Sequence, residues 1–498
     1  MGWHYAALEE RFKRMAGIEG ALAILEWDTA VVMPKKAAEA RGDQLAALKR
    51  LVHDLLTHPE TGEQLAGAEA EDDLDPWQRA NLREMRRKYR HAHSLEPALV
   101  EALARATTAC EMTWREARAR SDFALLAPQL EEVVRLTREA AQVTGAALGL
   151  DAYDALLDAH QPDLRDAQVV PLFERLAREL PPLVDAILAR QAETPEAMKP
   201  RGPFPAERQK ALGKRLMARL GFDFEAGRLD ESAHPFCGGT PTDIRVTTRY
   251  RDDEMAHALM AVLHETGHAL YEAGLPRAWR GQPVGEARGI AVHESQSLLI
   301  EMQTCRSPAF VRFLAGELCQ SFGDDPAFAP DNLVRLYTRV ERGFIRVDAD
   351  EATYPLHVIL RHRLERRLIA GDLAVADLPH AWNEGMRELL GIVPPDDRQG
   401  CLQDIHWPVG GFGYFPCYTL GAVLAAQLFR AAQAQLPDLL DAIGQGDFAP
   451  LLGWLRERVH GQGAKPAFAE LVEQATGGPL AVEPFLEHLR ARYLGTAN

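Results

Sequence analysis

The run His264-Glu265-Thr266-Gly267-His268 sets two imidazoles four residues apart with a carboxylate between them. Residues four apart share one face of an α-helix, so both rings can reach a single tetrahedral zinc. Glu265 then stands beside an open coordination position, where it can take a proton from bound water. The chemistry implied is metal-assisted hydrolysis. Taken alone, the motif has a plainer reading as two hydrogen-bonded helix histidines and a surface glutamate. Gly267 lowers helix stability relative to alanine. Its physical use is a close approach by another backbone or by substrate.

A catalytic zinc takes three protein ligands and keeps one position for water. No histidine follows at metzincin spacing. Instead, Gly289-Ile290-Ala291-Val292-His293-Glu294-Ser295-Gln296-Ser297-Leu298 opens a second predicted helix, with Glu294 placed 30 residues beyond His264. That interval holds a helix end, a turn and a return, which makes Glu294 the expected third ligand. Its plainer role is a first-turn glutamate favoured by the helix dipole. His293 is the rival ligand. Adjacent helix positions diverge by about 100°, so only one of the two should face the metal.

These groups need helices to hold them. The segment Ala256–Gly274 carries Leu259, Val262 and Leu263 at helical spacing, and His264 and His268 ride on it. The same periodicity recurs at Leu22 and Leu25, Leu45–Leu55, Val133–Leu148, Leu172–Leu188 and Leu356–Leu368. Strand signals are few. The best is Ile244–Tyr250, β-branched and bounded upstream by Gly238, Gly239 and Pro241, which reads as one hairpin arm. Glu193–Pro205 reads as a turn between lobes, and Asp72–Asp75 as an acidic surface loop. No internal repeat or low-complexity linker divides the chain. The expectation is a mainly α fold, with residues 1–498 forming a single catalytic unit of two lobes.

The 498 residues carry a net charge of −16, which disfavours nucleic acid as a partner. The six cysteines are scattered, with no C-x-x-C pair, so neither a zinc ribbon nor a disulfide scaffold is expected. The N-terminal residues lack an apolar signal-type core. The longest nearly apolar stretch, Tyr418–Phe429, contains Gln427 and is too short to span a bilayer. A reduced, cytoplasmic protein without a membrane partner is expected.

HETGHALYEAGLP followed by HESQS resembles the carboxypeptidase Taq family of metallocarboxypeptidases. Further segments agree in order: Trp27-Asp28, Met33-Pro34, His234-Pro235-Phe236, Asp243-Ile244-Arg245-Val246-Thr247, Ile345-Arg346-Val347-Asp348-Ala349-Asp350 and Gly413-Tyr414-Phe415-Pro416. The resemblance implies a helical fold with a deep central cleft, akin to angiotensin-converting enzyme and thimet-type oligopeptidases. A small β element would lie near the site, and the zinc-site core would span about 234–420. It further implies a homodimer that removes single C-terminal residues from peptides with broad specificity, proline excepted. Zinc would be the cofactor, with cobalt a possible substitute. One departure stands out. After HESQS the chain reads LLIEMQTCRS, where the family more often has an Asn after the Glu and Val-Gly before the Arg-Ser. That difference is expected to touch dimer or lobe packing, not the metal.

The matching segments supply substrate-binding candidates. His406, with Tyr414 or Tyr418, would donate to the tetrahedral oxyanion. Arg346 and Arg245 would recognise a terminal carboxylate, since a guanidinium fork binds both oxygens. His234 would line the cleft. Asp350 would orient a ligand histidine. Cys237 and Cys417 receive no role. Two other functions share the metal motif: a zinc oligopeptidase or endopeptidase lacking the carboxylate clamp, and a non-catalytic zinc-binding helical protein. Glu265 argues against the latter, because a structural site needs no base.

Overall fold

A computed structural model describes residues 2–495, which form twenty α-helices and one three-stranded sheet. The periodic stretches all fall within helices: Trp3–Val31, Ala38–Thr57, Phe123–Leu148, Asp166–Ala192 and Tyr354–Ala370. Asp72–Asp75 is the loop before helix Pro76–His93, and Asp75 caps that helix reciprocally with Gln78. Glu193–Pro205 is irregular chain between helices Asp166–Ala192 and Ala206–Arg219.

The expected strand is β3, Asp243–Thr248. It pairs in parallel with β1, Gly227–Glu231, and antiparallel with β2, Phe236–Thr240. Gly238 and Gly239 lie inside β2 instead of merely bounding β3, and β1 is short and charged. Neither stretch has the β-branched alternation that marks a strand.

The principal core extends from Cys110 on one helix to Leu489 near the end of the described chain. A separate core joins Tyr5, Leu8, Phe12 and Met15 of the first helix to Leu65, Leu82 and Met85. A third lies beneath the sheet, where Ile244 and Val246 of β3 meet Val262 and Ala269. Helix Ala256–Gly274, the HETGH helix, lies between two of these cores. Leu259, Leu263 and Leu270 pack into the principal core, while Val262 and Ala269 pack against the sheet. Each buried Leu or Val contributes roughly 1.5–3 kcal/mol. That outweighs the cost of about 1 kcal/mol for a mid-helix glycine, and it fixes which way the two histidines point.

Among the described residues, no helix is long and apolar enough to cross a membrane. Tyr418–Phe429 lies within the largely buried helix Pro416–Gln435. All six cysteines are free thiols.

Candidate metal centre

The HETGH helix and helix Ile290–Leu298, the HES helix, bring His264, His268 and Glu294 together, with one donor atom from each lying within 4.8 Å of the others. Nε2 of His264 is 3.8 Å from one carboxylate oxygen of Glu294, and Nε2 of His268 is 3.6 Å from the other. Tetrahedral bonds of about 2.0–2.1 Å place neighbouring ligands roughly 3.3 Å apart. The donors present are therefore close to the spacing that a zinc ion would require.

The remaining nitrogen of each ring is already held. Nδ1 of His264 lies 2.9 Å from Glu301 Oε2, and Glu301 in turn accepts from Arg306 at 2.6 Å. Nδ1 of His268 lies 2.6 Å from Nδ1 of His293, whose Nε2 lies 2.8 Å from Glu272. His293 thus faces His268 and leaves the metal position to Glu294. A carboxylate or imidazole behind a ligand histidine fixes its orientation. Asp350 does not do this. It accepts from the amides of Glu341, Ala352 and Thr353 and from the Thr353 hydroxyl, bracing the turn before helix Tyr354–Ala370.

Glu301 is the glutamate at which LLIEMQTCRS agrees with the family pattern, and the departures in that segment are Met302 and Thr304-Cys305. Its residues Leu299–Thr304 form a π-helical turn that continues the HES helix, a distortion frequent at functional sites.

Two glycines permit these approaches. A β-carbon on Gly267 would stand 2.5 Å from the Gln296 carbonyl and from Cα of Ser297. The HES helix backbone therefore crosses the HETGH helix where no side chain fits. On helix Pro416–Gln435, a β-carbon on Gly421 would meet Cβ and Cγ of Glu294 at 2.8 Å.

Burial pushes Glu265 up to about 7 and raises Glu294 as well. For Glu301 burial acts the same way, but Arg306 and His264 prevail and hold it at about 2. Burial opposes charge on His264, yet Glu301 and Glu294 raise it to about 10. Burial holds His268 well below its usual range, helped by the neighbouring imidazoles. Three largely buried carboxylates thus surround two imidazoles, and of the three only Glu301 has Arg306 as a guanidinium partner. The donors are a nitrogen–nitrogen–oxygen set of the type that binds zinc. A divalent cation among them offsets the carboxylate charge that burial disfavours.

The profile of the carboxypeptidase Taq (M32) metallopeptidase family matches residues 7–493. The chain belongs to that family. It is 40% identical to thermostable carboxypeptidase 1 of Thermus thermophilus, over 98% of both chains. It is 33% identical to the protein of the same name from Pyrococcus furiosus, over 97% of both. Among solved structures, Trypanosoma cruzi metallocarboxypeptidase 1 superposes with a TM-score of 0.97 at 40% identity, covering 98% of this chain and 99% of that one. This M32 chain is accordingly a metallopeptidase, a hydrolase of carboxypeptidase type, and its family implies a metal cofactor.

Several predicted substrate residues gather beside Glu294. Arg346 is buried, with Nε and Nη2 on Asp404 at 3.1 and 2.8 Å and Nη1 on the Tyr354 hydroxyl at 2.6 Å. Its guanidinium also lies over the rings of Tyr354, Phe415 and Tyr418. Its fork is therefore already engaged. His406 lies 3.4 Å from the Tyr418 hydroxyl through Nε2, while its buried Nδ1 has no partner among the described residues. Burial, with Arg346 and Arg361 also disfavouring charge, lowers His406 to about 4, so it is neutral near pH 7. Burial and the Glu294 charge push Tyr414 up to about 12, keeping its phenol a donor.

The other two candidates stand differently. Arg245 pairs with Asp243 at 2.6 Å and stacks over Trp27 at 4.4 Å, so it too is engaged. His234 is exposed on the turn between β1 and β2, and its ring makes no hydrogen bond with the described residues. Sequence reasoning missed Glu301, Glu272 and Tyr354. It also placed His293 as a competing ligand, not as the support behind His268.

Proposed function

We propose that this M32 metallopeptidase is a zinc-dependent carboxypeptidase of broad specificity, with His264, His268 and Glu294 as ligands and Glu265 as general base. One observation carries the reading. The two histidines present their Nε2 atoms to Glu294 while their Nδ1 atoms are held from behind. That is a pre-oriented ligand set beside a base. A zinc ion held there supplies Lewis acidity to a scissile carbonyl and makes a water acidic near neutral pH.

The rest falls to the chain's own groups. Glu265, raised to about 7 by burial, accepts the water proton and returns it to the leaving amine. Tyr414 and neutral His406 donate to the developing oxyanion. Arg346 receives the terminal carboxylate once Asp404 yields part of its fork, with Arg245 and His234 further along the substrate. Residues 1–498 act as a single catalytic unit centred on about 234–420. The working protein is a cytoplasmic homodimer acting on peptides, in which cobalt can replace zinc.

The engagement of Arg346 by Asp404 specifically favours a second reading, an oligopeptidase without a carboxylate clamp. Peptides with free and amidated C-termini, assayed with and without zinc beside Glu265→Gln, separate the two. Metal-dependent, stepwise loss of C-terminal residues from free peptides alone supports the carboxypeptidase. Equal cleavage of amidated peptides establishes the endopeptidase. A zinc-loaded protein inert on both, like its variant, has a structural metal site.

A further inference from the structure

Away from the metal centre, a cavity of about 390 Å³ opens beside helix Pro76–His93. Arg79, Arg83, Arg86, Arg87 and Arg90 follow the helical repeat along one face of that helix and line it, with Arg165 opposite. Carboxylates hold some of these groups. Arg83 and Arg87 share Glu84, at 2.9 and 3.1 Å, and Arg165 reaches Asp158 at 2.8 Å. Behind the wall, Arg288, 1% exposed, pairs with Glu84 and with Asp163.

The pairing leaves a surplus. Counting Arg288, arginines outnumber the lining carboxylates seven to four. The terminal nitrogens of Arg87 donate to no described residue, and Arg90 donates only through Nη2, to the Ala147 carbonyl. Unused donors on the half-buried Arg87 and the exposed Arg90, flanked by Leu82, Leu148 and Leu150, are free to meet an oxyanion in the cavity. A phosphate group carries about −1.5 to −2 at neutral pH, so two linked groups match a surplus of three charges. One carboxylate does not. The chain as a whole, at −16, repels polyanions, so attraction at this cavity is local.

We propose that this arginine-lined cavity binds a small multivalent phosphate anion of pyrophosphate size. The site is independent of the peptidase reading, since none of its lining residues belongs to the metal centre.

The test is calorimetric titration of the zinc-loaded protein with pyrophosphate, inorganic phosphate and succinate at matched ionic strength, repeated on Arg87→Ala and Arg90→Ala. The expected result is saturable one-to-one binding of pyrophosphate, weaker binding of phosphate and none of succinate. Each substitution should raise the pyrophosphate dissociation constant about tenfold or more. Arg90 touches only a backbone carbonyl, so its variant decides the matter even if Arg87→Ala folds poorly. Three results overturn the proposal: no saturable binding, succinate binding as tightly, or unchanged pyrophosphate affinity in both variants. The last would place the anion on the zinc.

Discussion

Glu301 Oε2 lies 2.9 Å from Nδ1 of His264, seven residues beyond Glu294 on the same continuous helical path. One run of chain therefore supplies both a proposed metal ligand and the group that holds the ring of another. Replacing Glu301 with glutamine keeps the shape and removes the charge. The expected outcome is a ten- to hundredfold loss of zinc affinity, roughly the cost of losing such a supporting contact. Competition against a chelator of known affinity measures it. Unchanged affinity would reduce Glu301 to a partner for Arg306.

Gly421 should tolerate no side chain. In Gly421→Ala the new methyl meets Glu294 at 2.8 Å, so either the helices part or the carboxylate turns. Overpacking of this kind costs about 1–3 kcal/mol, and zinc affinity should fall with it. Gly453 is the control, because a methyl there would have nothing within 4 Å. Gly453→Ala should leave thermal stability and zinc affinity unchanged or slightly improved. Equal behaviour of the two variants would remove the steric argument.

Arg346→Lys keeps a charge and loses the planar fork. If Arg346 receives the peptide terminus, kcat/KM on free-carboxylate peptides should fall about tenfold or more while bound zinc stays stoichiometric. The Lys variant will also be less stable, because Asp404 keeps only part of a buried partner. Lower stability with unaltered kinetics would show that Arg346 serves Asp404 alone.

Acid stability should depend on Asp158. Burial raises its pKa, but His91, Arg165 and the Asp163 amide prevail and hold it at about 2, against an unperturbed 3.8. A depressed carboxyl stabilises the fold at pH values above its unfolded pKa, and that contribution disappears as pH falls through the folded value. The contribution is about 2 kcal/mol. Denaturant melts of Asp158→Asn and the parent should therefore differ by that order at pH 5 and converge towards pH 2. A constant gap across that interval would mean the loss is steric.

Helix periodicity is local, so His264 and His268 were readable as a pair, and Glu294 followed from the length of a helical return. The supporting groups were not readable. Glu301 and His293 act across a helix crossing whose angle depends on Gly267 meeting the Ser297 backbone, and no spacing rule encodes such a contact. Arg346 was recognisable as a functional type, but its engagement by Asp404, 58 residues away, is tertiary. In the sheet, β3 advertised itself through Ile244, Val246 and Thr247. Its neighbours gained strand conformation by pairing with it, against weak intrinsic preference.

The close crossing at Gly267 has a thermodynamic consequence. The close packing of the two helices contributes to the placement of His264, His268 and Glu294, the proposed ligands. A zinc ion bound as proposed to the folded chain and not to the unfolded one would stabilise it by mass action, by about 2.7 kcal/mol at a free concentration one hundred times Kd. The melting temperature should climb steadily with the logarithm of free zinc, and the metal-free protein should still unfold cooperatively.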